Sequence, residues 1–371
     1  MDELDHRTGV DEYTLKHPDR PARKLRKNTG RKMSAKAISM RRLRALRRAG
    51  QPTNVKGLVE LGGHHLLAND GEDILVFGDK KTLAYMSTTS IIFADGTFDC
   101  VLEGYTQLYI FHALIANDVA VPTLFCLVNG KKKETYKTLL TMVDGIAASN
   151  GWEFFKRSVT LMSDFEDGFI KAVKELFPLV EQKGCFFHFA QNIRKNCSSA
   201  ITKVTQAADE SSPVFKLAMT TKMRLRMLPL LPEGLINEEV VDLIIGAWKS
   251  DVPKELQNVF DGIAKTLRDS YIGTAQERDA EQRGPRFPPS LWSVSGRTVR
   301  TNNSAETFHS TINPETKGKI FLYRFLRIIQ DEMDNARDRI VNGCRPAPGS
   351  PSPAKNEVLA GELDKLLNGH Q

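Results

Sequence analysis

The stretch IIFADGTFDC, residues 91–100, decides how the chain is read. Ile91 to Ala94 form a short apolar, β-rich run, and Gly96-Thr97 breaks it, the pattern of a buried strand with its closing turn. The strand ends on Asp95. Carboxylates are seldom buried unless they are paired or bound to a metal, so Asp95 asks for a partner. An aspartate ahead of a glycine is also an ordinary way to close a strand in a turn.

The same device recurs downstream in SVTLMSDFEDGFIKAVKELFP, where a β-rich run from Ser158 to Met162 ends on Ser163-Asp164. A helix follows, with Phe169, Ile170, Val173, Leu176 and Phe177 on one face, and Pro178 closes it. Asp95 and Asp164 are 164 − 95 = 69 residues apart, each at the end of a strand. Two carboxylates at adjacent strand ends repel unless a divalent cation sits between them, and oxygen ligands suit Mg²⁺ or Mn²⁺. A helix N-cap or turn role satisfies the pattern equally well.

Around these motifs, ILVFGDKKTLAYM reads as a strand or strand-turn-helix segment. YTQLYIFHALIA and VAVPTLFCLVNGK give two further strands, and KETYKTLLTMVDGIAASNG has the spacing of a helix stopped at Gly151. KGCFFHFAQNIRKN reads as a short strand running into a helix. From about Ser198 to Gly296 the β signal is absent and the pattern is helical. FLYRFLRIIQDEMDNARDRI then forms a long amphipathic helix, and CRPAPGSPSPAKN has linker composition.

The composition, 41% hydrophobic and 26% charged over 371 residues, is that of a soluble globular protein with a sizeable core. No apolar run approaches the roughly 18 residues of a membrane span, and the N-terminus is polar, so an intracellular protein without a membrane partner is expected. The five cysteines are odd in number and scattered, which fits a reducing compartment; no CxxC pair is present. The formal charge is +7, yet Arg20 to Arg48 alone carries 13 Lys or Arg and no acid, so the rest sums to 7 − 13 = −6. This basic arm, with Arg41, Arg42, Arg44, Arg47 and Arg48 in a segment of helical pattern, suits DNA phosphates or nuclear import, and otherwise a solvated, disordered arm.

Taken in order and spacing, DGTFD, YTQLYIFHALI, VPTLFCLVNGKKKETYKTLL, SDFEDGFIKAVKELFP and GCFFHFAQNIRK resemble the catalytic domain of Mutator-like element (MULE) transposases. The resemblance covers roughly residues 73–197, with RTNNSAETFH as a later anchor. It implies an α/β, ribonuclease-H-like fold: a five-stranded mixed sheet of order 3-2-1-4-5, flanked by helices, with an all-helical insertion before the last catalytic acid. The implied organisation is a basic arm over 1–50, a first part of the catalytic core over 51–197, the insertion over 198–297, completion of the core over 298–342, and a linker and tail over 343–371.

By the same resemblance Asp95 and Asp164 are the first two acids of a DDE site and Glu306 the third, 306 − 164 = 142 residues further on. Glu166 is a nearby competitor, and Glu306 would also suit a helix N-terminus. The site would hold Mg²⁺ or Mn²⁺, and the activity would be cleavage and joining of double-stranded DNA at terminal inverted repeats and target, in the nucleus, by a homo-oligomer in a synaptic complex. Cys185 and His188 match the family's C-x₂-H signature, too few for a closed zinc site; a buried cysteine and a hydrogen-bonded histidine stand against DNA contact or site support. His309 falls three residues after Glu306 and joins the same group. His112, Trp152, Trp248 and Trp292 read as core residues, while Arg194, Lys195, Arg297 and Arg300 supply positive charge. Many relatives resemble a fusion with a preceding FLYWCH-type zinc finger, whose ligands are absent here. A catalytically silent, domesticated DNA-binding descendant is the alternative to an enzyme.

Overall fold

The computed structural model describes residues 65–98, 101–115, 119–246, 254–273, 284–301 and 322–342. Glu306, His309, Trp248 and the five arginines from Arg41 to Arg48 lie outside the described residues. The order of elements is β1 (Leu66–Asn69), β2 (Ile74–Gly78), α1 (Lys80–Thr88), β3 (Ile91–Thr97), β4 (Gln107–Ile115), β5 (Val119–Val128), α2 (Lys133–Ser149), β6 (Val159–Ser163), α3 (Asp167–Leu176), β7 (Val180–Gly184) and α4 (Phe186–Ile193). After a π-helical segment (Arg194–Ser198) come α5 (Ser199–Ala207), α6 (Pro213–Met227), α7 (Glu238–Gly246), α8 (Lys254–Leu267), α9 (Pro289–Trp292) and α10 (Leu322–Asn342).

The fold is α/β, but its mixed sheet has seven strands, not five, in the order β1-β2-β5-β4-β3-β6-β7. The additional pair precedes the motifs that carried the sequence reading. β1 is four residues long and half-exposed, so no buried run or alternation announces it. Asp70 Oδ1 then accepts the N–H groups of Glu72, Asp73 and Ile74 at 3.0, 2.9 and 2.8 Å, turning the chain into β2. All five β2 residues are buried, and β2 pairs antiparallel with β5, Ile74 opposite Val128. A second difference is that the strand before α4 is Val180–Gly184, and Cys185 is already the helix N-cap.

The described chain divides into two compact units. The first takes the described part of Met1–Val159, Glu175–Val180 and the described part of Asn303–Cys344. Strands β3, β4 and β5 pair antiparallel within it. One sheet face packs Phe77, Leu108, Ile110, Phe125 and Leu127 against Leu322, Phe325, Leu326, Ile329 and Met333 of α10. These α10 residues recur at three- and four-residue intervals, which puts them on one stripe of the helix. On α2, Tyr136, Leu139, Leu140 and Val143 are buried, and the Tyr136 ring packs against Tyr109 of β4 at 5.5 Å.

The second unit takes Thr160–Lys174, the described part of Glu181–Asn302, and Arg345–Gln371, the last outside the described residues. From 198 to 297 the described residues form helices and turns and no strand. Its core gathers Phe189, Ile193, Cys197, Leu225, Phe260, Leu267, Tyr271, Phe287 and Trp292. Trp292 is a core residue: it is fully buried, and its Nε1–H donates to the carbonyls of Tyr271 (3.1 Å) and Phe287 (2.9 Å).

Candidate active site

Asp95 is buried, with 2% of its surface exposed, and it lies within β3 rather than in a turn after it. The register sets Asp95 opposite Ile110 and Gly96 opposite Tyr109. Opposed residues share a face and alternate residues face oppositely, so Asp95 stands on the face that packs against α10, while Gly96 stands on the α2 face. The glycine of DGT has a steric reason. A Cβ at Gly96 would come within 3.1 Å of both the Tyr109 ring and Gln107 Oε1. Gln107 is itself buried and donates through Nε2 to Tyr136 Oη (2.6 Å) and the Gly130 carbonyl (3.3 Å).

Asp164 follows β6 and is half-buried. Its Oδ1 accepts the Glu166 N–H at 3.2 Å, an Asx-type turn that leads into α3, so its turn role is real. Phe165 packs into the helical core, 5.2 Å from the Phe287 ring and 6.1 Å from Phe189. The backbone of Gly184 lies under the same ring: a Cβ there would sit 2.5 Å from Phe165 Cζ. The SDFE and GCFFHF motifs are thus two sides of one packing contact, and the Cys185 N–H donates to the Ser163 carbonyl at 2.9 Å.

Cys185 is fully buried at the N-cap of α4. His188, one turn on, is half-buried; burial holds its pKa below the usual histidine range, and its Nδ1 has no hydrogen-bond partner. The N–H of Phe186 donates to the carbonyl of Arg300 at 3.0 Å. In the second unit, therefore, Ser163, Cys185 and Phe186 are linked by backbone hydrogen bonds to Arg300.

The charged residues expected around the site behave differently from one another. Arg194 and Lys195 are exposed on the π-helical segment. Arg297 turns inward: it donates to the carbonyls of Ser290 and Leu291, and burial pushes its pKa down to about 10 against the opposing charges of Glu181 and Glu233. His112 is a core residue of β4, 1% exposed. No group of three or more His, Cys, Asp or Glu able to hold a metal occurs among the described residues, which do not include Glu306.

Against known families, residues 91–192 match the model of the MULE transposase domain. These residues form a MULE transposase domain. The match starts at Ile91 and ends inside α4, so the MULE domain holds Asp95, Asp164, Cys185 and His188, while Glu306, His309 and α5 to α9 lie beyond it. A search of curated proteins finds no match to the chain.

Proposed function

We propose that the protein is a DDE-type transposase, cleaving and joining DNA phosphodiesters in the nucleus as part of an oligomeric synaptic complex. The observation that carries this reading is Asp95: a carboxylate 2% exposed, inside a strand of the MULE domain. A turn aspartate has no need of such burial. Without β1 and β2, the strand order β5-β4-β3-β6-β7 corresponds to 3-2-1-4-5, which supports a ribonuclease-H-like core. Glu306 as third acid fits the hydrogen bond at Arg300, since six residues span at most about 20 Å.

The donor set is chemically suited to Mg²⁺ or Mn²⁺, because carboxylate oxygens are the ligands hard divalent cations prefer. Asp95, Asp164 and Glu306 would hold the ions. Two such ions, when bound, activate a water or 3′-hydroxyl and stabilise the leaving oxygen of an in-line displacement. The chain's own contribution is to fix the donors: β3 holds Asp95 in a buried register, and the Glu166 N–H orients Asp164. Double-stranded DNA, terminal repeats and target, is the proposed substrate.

The decisive experiment is Mg²⁺-dependent cleavage of a duplex carrying the element's terminal repeat. Wild type should cut, and Asp95→Ala should cut at least about 100-fold more slowly, given several kcal/mol of charge stabilisation lost. A wild type that binds this duplex without any metal-dependent cut removes the enzymatic reading and leaves a DNA-binding descendant.

A further inference from the structure

At the end of β3, just past Asp95, the side chain of Phe98 is 52% exposed, and the Lys131 ammonium sits 3.7 Å from its ring centroid. Both residues lie in the first unit. Thr97 is opposite Leu108, and Gln107 is opposite Val128, so the end of β3 and the end of β5 reach the same end of the sheet. There the turn Asn129-Gly130 delivers Lys131 and Lys132.

That turn is held on several sides. Asn129 Nδ2 donates to Asp73 Oδ1 at 2.9 Å, Thr106 Oγ1 donates to Asn129 Oδ1 at 2.9 Å, and Gln107 Nε2 reaches the Gly130 carbonyl. Gly130 has φ +146, a conformation side chains rarely adopt, and a Cβ there would stand 3.1 Å from Thr135 Oγ1. Lys131 and Lys132 are both exposed. A single exposed aromatic residue is unremarkable. Here the ring stands with a cation over it, beside a second lysine on a braced turn, three residues from the candidate catalytic carboxylate.

We propose that Phe98 is a stacking platform for one unpaired DNA base next to the cleavage site, with Lys131 and Lys132 contacting the phosphates that flank it. An aromatic face accepts any unpaired base, and adjacent lysines neutralise backbone charge, the combination by which single-stranded DNA is held. Lys131 makes its cation–π contact on one face of the ring and leaves the other face for stacking. The proposal rests on the DNA reading above and names the part of the substrate this end of the sheet receives.

The test uses full-length protein, a short oligothymidylate and the same sequence as duplex, in EDTA so that no metal chemistry intervenes. Phe98→Trp places a fluorophore at the site, read as a difference from wild type because Trp152, Trp248 and Trp292 are present in both. The oligothymidylate should quench the added fluorescence and the blunt duplex should not. Phe98→Ala should weaken single-strand binding about tenfold, within the range of one stacked base, while Phe98→Trp retains it. Lys131→Ala together with Lys132→Ala should lower the salt dependence of that binding. An unquenched difference signal from the Phe98→Trp protein, or a Phe98→Ala protein that binds the oligothymidylate as wild type does, overturns the proposal. If wild type still cuts the terminal-repeat duplex with Mg²⁺ in that case, the transposase reading stands without it; if Phe98-dependent binding is found but no cut ever occurs, the stacking site stands and the enzymatic reading falls.

Discussion

At the scale of single residues, two glycines in the motifs are explained by what lies over them. The more severe case is Gly184, where a Cβ would sit 2.5 Å from the Phe165 ring, so Gly184→Ala should destabilise the fold by about 1–3 kcal/mol, the cost of overpacking a filled site. Chemical denaturation measures it, and Phe165→Leu combined with Gly184→Ala should recover part of the loss; a single variant as stable as wild type contradicts the contact. Asp95 gives a second residue-level expectation, independent of cleavage. If Asp95 holds a divalent cation, millimolar Mg²⁺ should raise the melting temperature of wild type and not of Asp95→Asn, because a ligand that binds only the folded state stabilises it by mass action. Equal shifts in both proteins would remove Asp95 from the metal site. The position of Asp95 at a β-rich run was legible from IIFADGTFDC, but its burial was not, since a strand-end aspartate reads equally as a turn. What the sequence could not carry was the partner of Gly184: Phe165 lies 184 − 165 = 19 residues away, and no local pattern marks the contact.

Among elements, the join between α1 and α10 rests on Asp79 and Arg337, 2.8 Å apart, with Asp334 as a second acid on Arg337 at 2.7 Å. Burial by itself would raise the Asp79 pKa, but the hydrogen bond and charge of Arg337 outweigh it and hold the carboxyl below its ordinary value. A depressed carboxylate contributes stability that is complete above the unfolded value, about pH 4, and is lost as pH falls through the folded one. Asp79→Asn should therefore cost about 1–2 kcal/mol near neutral pH, less than the roughly 3–5 of a fully buried pair, because Arg337 keeps 30% of its side chain exposed. The gap between the two proteins should close below about pH 4 in urea titrations. A gap that persists into acid would mean that Asp79 acts through packing. This tether was invisible beforehand, since its ends are 337 − 79 = 258 residues apart. By contrast α2, α3 and α10 announced themselves through apolar residues at helical spacing, and β3, β4 and β5 through continuous buried runs. β1 escaped because four half-exposed residues carry no period, and the sheet edge it forms with β2 is fixed by long-range pairing to β5.

At the scale of the whole molecule, charge and fold are unevenly distributed. The 13 basic residues between Arg20 and Arg48 lie outside the described residues and outside the MULE domain, while the remainder of the chain sums to 7 − 13 = −6. A chain whose other parts are net negative gains little from general attraction to DNA there, so most sequence-independent affinity should come from the basic segment. Each phosphate neutralised adds about 0.9 to the slope of log affinity against log salt on duplex DNA. Deleting residues 1–50 should therefore flatten that slope by several units and weaken duplex binding at low salt by more than about 100-fold, with the melting temperature nearly unchanged. The last condition separates lost charge from lost folding. Arg41, Arg42, Arg44, Arg47 and Arg48 changed together to glutamine should give an intermediate slope. If the deletion leaves the slope where it was, DNA is held by the folded units, and the basic segment has some other task such as nuclear import.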